Sequence, residues 1–188
     1  MTCVVGLVAD DEVWIGTDSA AVDANNSLQH VRGKLVRLAL GESSATALLG
    51  YTTSFRMGQI LAHHVALPAM TWRPSSVESN VEAYVVQRIV PVVRGAFRDG
   101  GWAKKENERE QGGTFIVACK GRLFGVWDDF SVIEPTSGYE AVGSGRYEAL
   151  GALYATEGMA ARERVETALR AAEHFNGTVR GPFVVEKL

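Results

Sequence analysis

Antiparallel sheet material with a helical layer on each side, an α+β arrangement in two similar halves, is the fold class this sequence predicts. Three observations lead there. The elements run as strands, two helices, strands, two helices and a last strand. The strands are short and separated by tight polar or glycine turns, which is hairpin spacing. Their apolar content is high enough to require a covered sheet face.

The first strand is CVVGLV at 3–8, closed by the polar turn Asp10-Asp11-Glu12, and VWIGTDS at 13–19 follows. HVRGKLVRLAL holds two further runs broken at Gly33, and TALLGY at 46–51 comes after Gly41-Glu42-Ser43-Ser44. From Ser54 to Val65 the period changes: Phe55, Met57, Ile60, Leu61 and His64 recur at helical spacing. A long helix is predicted over 77–97, capped by Ser75 or Ser76 with Glu78 behind it and kinked at Pro91. Residues 98–113, RDGGWAKKENEREQGG, are glycine-bounded and charged, and are expected to form an exposed loop or a helix extension, with Trp102 as an exposed aromatic. Strands resume with TFIVACK at 114–120, RLFGVWDD and FSVIEP. Gly143-Ser144-Gly145 precedes the helix RYEALGALYA, AARERVETALRAAEHF at 160–175 is a second helix, and PFVVEKL ends the chain as a strand.

At 188 residues the chain is most simply one domain over 1–188. A net charge of -3 calls for no nucleic-acid or anionic-membrane partner. Cys3 and Cys119 make no disulfide framework, and the four histidines match no metal motif, so no metal or cofactor is called for. With no export signal and no apolar run near 18 residues, the expected location is the cytoplasm.

Thr2, Asp18 and Lys34 are polar residues that interrupt structural runs. Singly, each has an ordinary explanation: a residue before a strand, a turn cap, an edge-strand lysine. Together they make chemical sense. A threonine hydroxyl needs a base, and the α-amine of the same residue, with an ordinary pKa of about 7.7–8.0, meets that need. A neighbouring lysine ammonium lowers the pKa of groups around it and stabilises a developing alkoxide, while an aspartate paired with the lysine keeps it charged. This chemistry requires that Met1 be removed, because an acylated amine is no base.

These residues resemble those of the proteasome β-subunit and HslV-type peptidases, a branch of the amino-terminal nucleophile hydrolases. In that family an aspartate follows the threonine by sixteen residues and a lysine by thirty-two. The same offsets from Thr2 land on Asp18 in Gly16-Thr17-Asp18-Ser19 and on Lys34 in Gly33-Lys34. The family's Gly-Ser-Gly turn stands here as Gly143-Ser144-Gly145. The resemblance implies a four-layer αββα sandwich in stacked rings of this chain around a closed chamber. It implies a threonine peptidase acting on peptide or unfolded-protein substrate, without a cofactor and often served by an ATP-driven unfoldase. Thr2 Oγ would form an acyl-enzyme, the Thr2 amine would shuttle the proton, and Ser144 would orient that amine and its water.

Two departures stand out. The family's Gly-Gly oxyanion turn reads Gly50-Tyr51-Thr52-Thr53-Ser54-Phe55 here, with Ser54 expected to supply the N–H, Thr53 adjoining it and Thr52 near the wall that selects the substrate side chain. The family's aspartate after the last long helix is missing from Glu173-His174-Phe175-Asn176-Gly177-Thr178. Two other readings therefore stay beside the peptidase: a silent ring or scaffold subunit, and a non-peptidase amidohydrolase of the same nucleophile class.

Overall fold

The computed structural model describes residues 2–22, 28–70, 80–106 and 109–188. Met1, Ser75, Ser76 and Glu78, which carry the expected processing and the expected helix cap, lie outside the described residues.

β1 (Cys3–Ala9) and β2 (Glu12–Thr17) form a hairpin whose two turn residues, Asp10 and Asp11, have φ of 52° and 61°. Two consecutive left-handed residues make the turn whose twist matches antiparallel strands, and aspartate tolerates that conformation. β12 (Tyr139–Gly143) pairs with the far edge of β1, and β13 (Val184–Lys187) pairs with β2, giving a four-stranded sheet ordered β12-β1-β2-β13. The second sheet comprises β5 (Leu35–Ala39), β6 (Thr46–Tyr51), β9 (Phe115–Cys119), β10 (Arg122–Val126) and β11 (Val132–Ile133) in the order β11-β10-β9-β6-β5. Every pairing in both sheets is antiparallel.

The sheets stack face to face over Val4, Val13, Ile15, Leu48, Ile116, Leu123 and Val142. Alternate residues point the other way. Cys3, Val5 and Leu7 of β1 pack against α4 (Arg146–Ala155) and α5 (Ala161–Phe175) through Leu153, Val165 and Leu169. Ala47 and Leu49 of β6 pack with Met57 and Ile60 of α1 (Phe55–His64) and with Tyr84, Val93 and Phe97 further on. Both faces of each sheet are covered, which is why these strands read as apolar runs without polar alternation. The result is the four-layer αββα sandwich.

The helical part departs from the sequence expectation in two places. Among the described residues the long helix begins at Val81, where Asn80 Oδ1 accepts from Glu82 N at 3.0 Å. It runs as α2 (Val81–Tyr84), a π-helical turn over Val85–Ile89 and α3 (Val90–Asp99), without a break at Pro91. Val90 N bonds back to Val85 O, so the widened turn falls just ahead of the residue that has no N–H to give. The stretch expected as a charged loop contains a short hairpin, β7 (Lys104–Glu106) with β8 (Arg109–Gln111). Trp102 is half-buried there rather than exposed, and its Nε1 donates to Gly112 O at 2.9 Å. In α1, Met57, Ile60 and Leu61 are buried, whereas Phe55 and His64 are exposed.

Candidate active site

Thr2 enters β1 and lies 4% exposed beside the end of β2. Chain direction alone brings Asp18 under it, because β2 returns antiparallel to β1 and Val4 pairs with Thr17. The Asp18 carboxylate is wholly buried. Its Oδ1 accepts from Cys3 N at 3.1 Å and from Lys34 Nζ at 2.8 Å, and Oδ2 accepts from Ala20 N at 3.1 Å. A buried carboxylate with three donors satisfies the general requirement that buried charge be paired and hydrogen-bonded.

Lys34 reaches the site from the segment before β5. Thr17 Oγ1 accepts from Lys34 N at 3.1 Å, and Lys34 O accepts from Tyr51 N at 3.1 Å, so its backbone is tied to β2 on one side and β6 on the other. The side chain is 2% exposed. Burial lowers its pKa from the ordinary lysine value, with the charge and hydrogen bond of Asp18 opposing that shift. Cys3, next to Thr2, is inert by the same physics: burial first, then the Asp18 charge, pushes its thiol far above the range in which a thiolate forms. Burial likewise pushes Cys119 up to about 11.

Ser144 arrives on the turn after β12. Thr2 N donates to Ser144 Oγ at 3.3 Å, and Ser144 Oγ lies 3.3 Å from Thr2 O. The turn can come this close only because Gly143 has no side chain. Its φ is +99°, and a Cβ there would stand 2.1 Å from Thr2 O.

Beyond β6 the chain makes a tight turn centred on Thr53, whose φ is +66°, with Ser54 N donating to Thr52 O at 2.7 Å. A threonine held in this region costs about 1–3 kcal/mol and persists only when its surroundings over-determine it. Here they do: Thr52 N and Oγ1 both donate to Thr114 O, at 3.3 and 2.8 Å, and Thr53 Oγ1 lies 3.0 Å from Thr52 Oγ1. Ser54 Oγ caps α1 by accepting from Arg56 N at 3.1 Å. The Ser54 N–H, expected from the sequence to face the reacting carbonyl, is therefore engaged with its own turn. Among the described residues no partner takes the Thr53 N–H.

Thr2, Lys34, Tyr51, Thr52, Thr53 and Ser54 share one cleft of about 250 Å³, which Ala20 and Val22 of β3 (Ala20–Val22), the strand paired with β4 (Leu28–His30), also wall. A larger hollow of about 880 Å³ lies elsewhere, between α3 and the β7–β8 hairpin, and contains none of these residues. Among the described residues no cluster of three His, Cys, Asp or Glu side chains is placed to hold a metal ion. None of the described helices is long and apolar enough to cross a membrane.

Two residues in this neighbourhood carry no motif and escape a reading by spacing. After α5, Thr178 Oγ1 lies 3.1 Å from Ser144 Oγ, and Asn176 Nδ2 donates to Ser144 O at 2.9 Å. They stand in the segment where the expected aspartate is missing.

Several solved structures share this architecture along nearly the whole chain. BPH from Thiobacillus denitrificans superposes with a TM-score of 0.78 at 20% identity, covering 99% of this chain and 97% of that one. The same protein in complex with epoxomicin gives a TM-score of 0.77. Eukaryotic HslV from Trypanosoma brucei gives 0.64 at 18% identity, covering 99% and 98%. Anbu (ancestral beta-subunit) from Yersinia bercovieri gives 0.69 at 13% identity, covering 98% and 80%. No protein-family model matches the sequence, and no curated protein matches it. The chain thus has the proteasome-type amino-terminal nucleophile hydrolase fold.

Proposed function

We propose that this proteasome-type fold serves a threonine peptidase, cleaving peptide or unfolded-protein substrate inside rings built from copies of the chain. The observation that carries this reading is the buried Lys34–Asp18 pair at 2.8 Å beside a Thr2 whose nitrogen rests on Ser144. A buried ion pair is a poor source of stability, since apolar residues of similar volume do as well or better. A chemical use accounts better for its position.

The reaction begins once whatever precedes Thr2 has been removed. The free α-amine takes the proton of Thr2 Oγ, and the alkoxide, stabilised by the Lys34 ammonium, attacks the scissile carbonyl. The carbonyl oxygen becomes an oxyanion, for which the Thr53 N–H is the donor, since the Ser54 N–H is held by Thr52 O. The amine then gives its proton to the leaving nitrogen, and water resolves the acyl-enzyme by the same steps. Association of an ATP-driven unfoldase and a location in the cytoplasm accompany this reading as expectations. The engaged Ser54 N–H favours one alternative, a silent ring subunit, if the Thr53 N–H cannot serve.

Intact mass measured beside labelling by a threonine-directed probe such as epoxomicin tests the proposal. Label on Thr2 that is lost in Thr2→Ala and falls at least about 100-fold in Lys34→Ala supports a peptidase. A chain that begins at Thr2 and takes no label is a silent subunit. Labelling without cleavage of any peptide, but with hydrolysis of small amides, identifies the amidohydrolase.

A further inference from the structure

Ser144 is an exposed residue on a glycine-flanked turn, and a serine side chain so placed has three rotamers open to it. Only one presents Oγ to the Thr2 nitrogen. Besides Thr2 O, what Oγ meets there comes from the segment after α5. We propose that Asn176 and Thr178 are positioning residues that hold Ser144, and through it the Thr2 amine, by an uncharged hydrogen-bond relay. This rests on the peptidase reading above.

The relay has a direction that follows from counting protons. Asn176 Oδ1 accepts from Thr178 N at 3.1 Å and from Thr178 Oγ1 at 2.7 Å, while Asn176 Nδ2 donates to Ser144 O at 2.9 Å. Reversing the amide would face its NH₂ against a backbone N–H and its oxygen against a carbonyl, so one orientation is allowed. The single Thr178 hydroxyl proton is then committed to Asn176. In the 3.1 Å contact between Thr178 Oγ1 and Ser144 Oγ, Thr178 accepts and Ser144 donates. The Ser144 proton thus has acceptors in Thr178 Oγ1 and, at 3.3 Å, in Thr2 O, and Ser144 Oγ meets the Thr2 nitrogen with a lone pair.

This polarity matters once Thr2 carries a free amine. A serine that donated to the amine would occupy the lone pair needed to take the proton of Thr2 Oγ. A serine that accepts an N–H from the amine leaves that lone pair free and turns it away from Ser144. Asn176 also ties down the turn itself through the Ser144 carbonyl, so one amide sets both the backbone and the rotamer. Each member of the relay is neutral, and none of them changes charge as the proton moves between Thr2 Oγ, the amine and the leaving group.

The test uses the full chain with Thr2 exposed, its Thr178→Val and Thr178→Ser variants, and a fluorogenic peptide. Valine keeps the volume of threonine and removes the hydroxyl. Expected is a drop in kcat of about tenfold or more in Thr178→Val with KM within about twofold, and recovery in Thr178→Ser. A Thr178→Val protein with wild-type circular dichroism and assembly mass whose kcat stays within about twofold overturns the proposal, as does failure of serine to rescue. If the unaltered chain turns over no peptide, the peptidase reading fails on its own account. Neutron diffraction on the deuterated chain then decides the relay without activity: deuterium on Ser144 Oγ pointing to Thr178 Oγ1 upholds it, and deuterium pointing to Thr2 O or to the Thr2 nitrogen overturns it.

Discussion

Lys34 illustrates how one side chain reports on its whole surroundings. Burial disfavours its ammonium, Asp18 favours it, and burial prevails, so its pKa lies below the ordinary 10.5. The unfolded chain therefore binds more protons than the fold between the depressed value and 10.5, and across that window stability rises with pH. In the proposed peptidase, activity runs the other way, because the ammonium is the form that stabilises the alkoxide. The alkaline limb of kcat/KM is expected below pH 10.5, and Asp18→Asn should move it lower by withdrawing the charge that supports the ammonium. A pH–rate profile of both proteins checks this; a limb that moves upward in Asp18→Asn would refute it. Thr2, Asp18 and Lys34 were legible as polar residues interrupting structural runs, and the family resemblance added their common offsets and Ser144. Asn176 and Thr178 were not legible, since they lie in an irregular segment whose place depends on how α5 packs.

At the scale of an element, α1 shows how a helix shapes the cleft from behind. Gly58 sits on its buried face directly under the ring of Tyr51, and a Cβ there would lie 2.1 Å from Tyr51 Cζ. The ring is thus seated on helix backbone, and Tyr51 is one of the residues that line the cleft. Gly58→Ala must displace the Tyr51 ring, an overpacking that costs about 1–3 kcal/mol. Cleavage after large side chains should fall about tenfold relative to cleavage after alanine, read from kcat/KM on paired peptides, with a lowered Tm. Equal loss for both peptides would show that Tyr51 does not border the side-chain subsite. The Val81–Asp99 helix carries a different lesson. Its apolar period is strong enough to predict helix through Pro91, but the π turn that precedes the proline depends on packing against the sheet, which periodicity does not encode.

At the scale of the whole molecule, the outer surface of α4 is unusually apolar. Tyr147 and Tyr154, two turns apart, are 77% and 72% exposed, and Phe175 at the end of α5 is 73% exposed. Large aromatic side chains aligned on one helix face are a feature of contact surfaces. If copies of the chain stack in rings, this face is a candidate for the contact between rings. The double variant Tyr147→Glu, Tyr154→Glu should then halve the native assembly mass while leaving the circular dichroism unchanged. Native mass spectrometry reads the outcome, and an undiminished mass assigns the rings to other surfaces.

Thr2, Asp18 and Lys34 stood out as polar residues interrupting structural runs, and Ser144 came from the family resemblance. The order of strands and helices and the hairpin turns came from residue order alone. Each rests on local physics: side-chain period, turn stereochemistry and the short loops that keep consecutive strands adjacent. The tertiary structure decided what depends on contacts far apart in the chain. It covered both faces of each sheet, turned the Ser54 N–H onto Thr52 and left the Thr53 N–H without a partner among the described residues. It also brought the loop after α5 within 3.1 Å of Ser144. A sequence carries no marker for such meetings, because the energies that select them exist only once the layers have packed.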